Sequence, residues 1–110
     1  MPRIARLISS FNKNEVRQLF KKAKLVFRHP GLVVLCAPAN KEFGRVLAVA
    51  SKRIGKAHKR NLIKRRLKSI FYEEKLFKNQ QDCIIIIKKE GIDLSFEQLK
   101  KIMLRSLTKR

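Results

Sequence analysis

The chain has 110 residues, with 28 Lys and Arg against 8 Asp and Glu, a formal net charge of +20 and 45% hydrophobic residues. That length suits one domain with a modest core, and the apolar fraction excludes a disordered polycation. Self-repulsion on this scale costs stability in the isolated protein, so a polyanion is the expected partner, nucleic acid first and a membrane surface second.

Residues 1–11 are basic and irregular, with Pro2 early, and read as a flexible lead-in. Asn12 followed by Glu15 has the spacing of a capping box, and Val16, Leu19, Phe20 and Ala23 follow at helical intervals. This first helix should end near Lys24, ahead of the turn signal His29-Pro30-Gly31. Residues 24–28 (KLVFR) offer a short extra strand. Residues 32–37 (LVVLCA) and 45–50 (RVLAVA) read as strands joined by a hairpin-like loop at 38–43, and hairpin neighbours pair antiparallel.

Residues 51–70, SKRIGKAHKRNLIKRRLKSI, hold nine Lys or Arg, and no acid occurs between Glu42 and Glu73. Like charge at this density needs compensation from outside the chain. At 100° per residue, Ile63, Leu67, Ile70 and Phe71 fall on one stripe. Asn61, Lys64, Arg65, Lys68 and Tyr72 fall opposite, with His58 at their edge. The spacing predicts a helix over 56–76 with one face in the core and one strongly positive face. Leu62 is a misfit, apolar near the polar side.

Residues 78–82 form a polar connection, and 83–87 (CIIII) read as a central strand covered on both faces. Lys88 and Lys89 mark its exit and Glu90-Gly91 a turn. Ser95 can cap a last helix whose stripe is Phe96, Leu99, Ile102, Met103 and Leu107, with Lys100, Lys101 and Arg105 outside. The fold class is therefore α+β. We expect a single small two-layer sandwich over residues 1–110, with a mixed sheet of three to four strands and about three helices mainly on one face. The basic helix lies in a strand-helix-strand crossover.

No catalytic constellation emerges. Glu73 and Glu74 project about 100° apart on a helix. His58 has no carboxylate close in sequence to orient it, and reads instead as a phosphate or base contact. No Gly-rich phosphate loop occurs, and Cys36 and Cys83, each inside an apolar run, give no zinc spacing. No apolar run approaches the ~18–20 residues of a spanning helix, and residues 1–10 lack a continuous apolar segment of secretory type. A cytoplasmic protein with buried thiols and no metal of its own is expected.

Several segments together resemble one family. Arg45-Val46, Ala50-Ser51-Lys52-Arg53 and Gly55-Lys56-Ala57-His58-Lys59-Arg60-Asn61-Leu62-Ile63-Lys64-Arg65 are similar to the signature of the bacterial ribonuclease P protein component. That family carries a strand ending in V-S/A-K-K/R and then a helix bearing R-N-R-x-K-R. The flanking helices and the Ile-rich strand extend the resemblance over essentially the whole chain. Leu62 departs from it, standing where the family has an arginine, so no RNA contact is carried onto Leu62; Arg65 and Arg66 are the residues placed to compensate.

The resemblance implies a non-catalytic protein subunit of an endoribonuclease that removes the 5′ leader of precursor tRNA, with the active centre and its Mg²⁺ in the RNA subunit. The partners implied are the ribonuclease P RNA and precursor tRNA, with no membrane and no further protein required. Lys52, Arg53, Lys56, Arg60, Asn61, Lys64 and Arg65 would bind RNA, joined on the same basic segment by His58, Lys59 and Lys68. A cleft between the sheet and the first helix would guide the leader, using Phe20, with Val16 and Val34 where aromatics often occur, and with Arg45, Lys88 and Lys89. Stacking there should be weaker than in aromatic-rich relatives. The alternatives are a structural ribosomal RNA-binding protein and, more remotely, a basic DNA-binding module, for which no dimerisation heptad, zinc site or second recognition helix is present.

Overall fold

The computed structural model describes residues 7–107. Three helices and four strands follow in the order α1 (Lys13–Lys22), β1 (Lys24–His29), β2 (Leu32–Pro38), β3 (Val46–Val49), α2 (Ala57–Glu73), β4 (Gln81–Ile87) and α3 (Phe96–Leu107). The strands form one mixed sheet of order β1-β2-β4-β3, so the expected α+β class and basic crossover helix are both found.

One pairing is corrected. β2 and β3 do not form a hairpin; β4 lies between them, antiparallel to β2 and parallel to β3. The connecting segment at 39–45 has to cross one strand position, about 10 Å at the usual strand spacing, which seven residues span with ease. It passes tightly over the start of β4. A Cβ on Gly44 would collide with the carbonyl oxygen of Gln81, while the Gly44 N–H donates to the Phe77 carbonyl at 2.7 Å. β1, offered by the sequence as an extra strand, forms the outer edge and pairs with β2 in a hairpin closed at Pro30-Gly31.

The alternation along β4 explains its unbroken apolar run. Cys83, Ile85 and Ile87 enter the main core with Ile63, Leu67, Ile70 and Phe71 of α2 and Leu99, Met103 and Leu107 of α3. Ile84 and Ile86 point to the other face, where α1 seats Leu19 against Ala37 and Ile84. The predicted stripe of α2 is buried to the last residue, each side chain at 2% exposure or less. Burial on that scale is worth about 1.5–3 kcal/mol per side chain, and it holds the helix despite the charge on its back.

Both expected caps form. The Asn12 side chain accepts from the Glu15 N–H at 2.8 Å, and Glu15 Oε1 accepts from the Asn12 N–H at 3.0 Å. Ser95 and Gln98 exchange the equivalent pair at the start of α3. Residues 1–6 of the expected flexible lead-in lie outside the described residues. Residues 7–11 are built into the fold: Ile8 is 1% exposed in the main core, and its carbonyl accepts from the Val46 N–H.

Candidate nucleic-acid interface

The basic segment divides into a turn and a helix. Lys52 and Arg53 sit exposed on a short 3-10 turn, Lys52–Ile54, and Gly55 separates them from α2. Lys56 occupies the position before the helix, and no side chain caps that end. The positive pole of the helix dipole thus lies beside three exposed cations, an arrangement that favours phosphate.

Along the outer face of α2, His58, Asn61, Lys64, Arg65 and Lys68 line one shallow concavity. Five of the ten predicted RNA contacts therefore converge, without an acid among them. The spacing of 58, 61, 65 and 68 is that of a single helical stripe. Two other predicted contacts are already engaged. Lys59 Nζ pairs with Asp93 at 3.1 Å, both exposed, and such pairs yield readily to a competing phosphate. Arg60 donates through Nε to the Gly55 carbonyl at 3.1 Å, which ties the turn to the helix. Leu62 is 38% exposed on this side of the helix, as its wheel position required. Arg66 does not offset it, because its guanidinium donates to the Leu94 carbonyl at 3.3 Å, leaving Arg65 as the available neighbour.

The predicted cleft needs two corrections. Val34 is fully buried among the α2 and α3 side chains, on the sheet face away from α1. A strand turns alternate side chains to opposite faces, so Val33 and Leu35 are the β2 residues that face α1. Arg45 is 3% exposed and cannot line an open groove. Its Nη1 donates to the Ser10 carbonyl at 2.9 Å and to Glu15 at 3.0 Å, and its Nη2 lies 3.5 Å from Asp82. The guanidinium stacks 4.2 Å from the centre of the Phe11 ring. Arg45 is a buried anchor for the start of α1 and places Phe11 beside the helix. Glu15 serves both the cap and this cluster, and its pKa is lowered, first by the Asn12 backbone hydrogen bond and then by Arg45.

Val16 and Phe20 do lie together, with Phe11, in an apolar trough rimmed by Lys13, Arg17 and Lys21. Phe20 is 45% exposed, which leaves much of its ring open for stacking. The opposite flank of α1 borders Ala37 and Asp82. The Val16–Phe20 flank accordingly looks toward the far end of the strands, where Val33, Ile86 and Val49 are paired in one row across β2, β4 and β3. All three are only half-buried, Ile86 and Val49 packing against the cluster that Leu19 of α1 forms. Cations frame this row. Arg28 pairs with Val33 on β1, Lys88 and Lys89 follow β4, and Lys52 follows β3; all four are exposed. Phe11, Val33 and Arg28 were not singled out from the sequence.

Among the described residues, no three of His, Cys, Asp and Glu gather as a metal site, and no helix is long and apolar enough to cross a membrane. Cys36 and Cys83 are buried cross-strand neighbours with sulfurs 3.4 Å apart.

Comparison with known proteins agrees with this fold. The family model described as Ribonuclease P matches residues 1–110. The ribonuclease P protein component of Bacillus velezensis is 40% identical over 91 residues, covering 81% of this chain and 78% of the relative. That of Bacillus pumilus is 33% identical over 88 residues, covering 79% and 74%. The solved RNase P protein from Thermotoga maritima superposes with a TM-score of 0.78 at 21% identity, covering 93% of this chain and 96% of that one. The Staphylococcus aureus RNase P protein gives 0.76 at 22% identity, covering 92% and 93%. The solved neighbours share the fold, and the family model matched over the whole chain, with relatives 33% and 40% identical, places this chain in the ribonuclease P protein component family.

Proposed function

We propose that this chain is the protein subunit of ribonuclease P, binding the catalytic RNA through the turn and outer face of α2 and the 5′ leader of precursor tRNA along the trough beside α1. The observation that carries this reading is the acid-free concavity of His58, Asn61, Lys64, Arg65 and Lys68 on a helix whose other face is core. The helix cannot turn its charge away without unpacking the protein, so the basic face is held rigidly toward a partner. Its expected chemistry is phosphate neutralisation, with affinity falling steeply as salt rises. The trough supplies the second surface: Phe11, Val16 and Phe20 for bases, and Lys13, Arg17, Lys21 and Lys88 for the backbone of a single strand.

The active centre, with its Mg²⁺, is assigned to the RNA. RNA phosphates hold Mg²⁺ and Mg²⁺ can activate water, whereas among the described residues of this chain no three of His, Cys, Asp and Glu gather, and Glu15 and Asp82 are engaged with Arg45 and Glu74 with Lys100. The protein's part is to screen repulsion between the two RNAs and position the leader. No protein partner or membrane is required, and the compartment is the cytoplasm.

The test is 5′-leader cleavage of a precursor tRNA by a bacterial ribonuclease P RNA at low Mg²⁺, with and without this protein. Stimulation that an unrelated protein of similar charge fails to give is the expected result. Binding without stimulation, from an RNA active at high Mg²⁺, would reject the subunit role and favour a structural RNA-binding protein.

A further inference from the structure

A third concave surface lies at the β1 edge of the sheet, on the face away from α1, and shares no residue with the α2 face or the trough beside α1. It is a depression of about 220 Å³ between β1 and α3. Its making depends on an irregularity in the edge strand. Between Leu25 and Phe27 the register with β2 shifts, with Val26 as the extra residue. Such a bulge re-aims the side chains that follow it. Leu25 pairs with Leu35 on the α1 face, whereas Phe27 pairs with Val34 and His29 with Leu32, both core-facing residues. Two half-buried rings therefore emerge at the sheet edge beside α3.

From α3 the depression receives Gln98, Lys101 and Arg105, all exposed, over Ile102. Their spacing sets the three polar side chains on one stripe of the helix. No acid lines the depression. Lys101 and Arg105 enter no ion pair among the described residues, whereas neighbouring Lys100 is paired with Glu74. His29 Nδ1 accepts from the Gly31 N–H at 2.9 Å, which leaves Nε2–H as the donor of the neutral ring.

We propose that this depression binds an unpaired nucleotide of an RNA strand, the base against Phe27 and the phosphate between Lys101 and Arg105. Aromatic platforms accept any base through its π-face, and flanking cations hold the backbone. Gln98 offers both a donor and an acceptor to a base edge. Charge complementarity selects a polyanion, and the half-buried rings at the sheet edge select an unstacked base over a duplex. The contact adds to the two surfaces above and does not depend on the leader or on cleavage, so a failure here leaves the cleavage assay untouched.

The experiment is a two-dimensional NMR titration of the isotope-labelled full chain with pentaadenylate RNA, adenosine monophosphate and inorganic phosphate in parallel. The RNA should shift Phe27, His29 and Gln98 resonances saturably. Lys101→Gln with Arg105→Gln, both on the surface, should weaken that site about fivefold or more, the lower end of what one base contact contributes. Phe27→Leu should do the same with the melting temperature retained. A charge-matched control, Lys24→Gln with Lys78→Gln, should leave it unchanged. The proposal fails if RNA shifts only residues of α1, α2 and the turn between β3 and α2, or if the control weakens the site equally. It also fails if the monophosphate or inorganic phosphate binds as tightly as the strand, which would assign the depression to a free anion.

Discussion

Arg45 and the cations of α2 are the same kind of residue put to opposite uses. Arg45 is buried with two carboxylates, a carbonyl and an aromatic ring around it, and only its Nε lacks a partner among the described residues. The α2 cations face outward, and of those on the concavity none has an acid. A buried charge is tolerated only with its partners in place, while an exposed charge without partners is available to bind. The number of acids within reach, which tertiary structure sets, separates an anchor from an interface.

The largest expected break in this contrast is Arg45→Ala. It strands Asp82 in the protein and should cost about 3–5 kcal/mol in denaturant unfolding. RNA affinity of the remaining folded molecules should stay close to the parent. Parent-like stability would show that Arg45 is not the anchor described.

Next comes the opposite result on α2. Lys64→Ala with Arg65→Ala should lower the dependence of RNA binding on the logarithm of salt by about 1.5–2, with little change in melting temperature. A fall in stability as large as that of Arg45→Ala would place these side chains in the fold.

Leu62→Arg should sharpen the contrast in the other direction, tightening RNA binding and steepening the salt slope by about one. Weaker binding would mean that Leu62 itself touches the RNA. The smallest effect is expected for Glu15 and pH. Its folded pKa lies below its ordinary value near 4.5. Its contribution is therefore complete above that value and is lost as pH falls through the lower folded pKa. The melting-temperature gap between the parent and Glu15→Gln should be open at neutral pH and close in acid; a constant gap would remove the carboxylate charge from the account.

The helices were legible because a helix announces itself locally. The period of Ile63, Leu67, Ile70 and Phe71 gave both the core face of α2 and, by exclusion, its exposed cationic face. Asn12 with Glu15 and Ser95 with its neighbours marked the starts of α1 and α3. The cleft was half legible: Val16 and Phe20 share a helical face, but the β2 contribution was misplaced by one residue. In a strand, one position is the whole difference between the two faces, and Val34 fell on the wrong one. Phe11 escaped notice because it sits outside any periodic segment and is held by Arg45, thirty-four residues away.

From sequence alone, then, follow the basic α+β character, the helices α1 to α3, the apolar central strand, the family resemblance and the cationic face of α2. These depend on composition, on spacing within one element and on motif order, all of which survive in an unfolded chain. Tertiary structure alone decided that β4 inserts between β2 and β3, that Arg45 is structural, that Lys59 meets Asp93, and that the row Val33, Ile86 and Val49 stays half-buried beside α1. Each of these depends on which distant segments share a sheet neighbour, and that is settled only when the whole core packs.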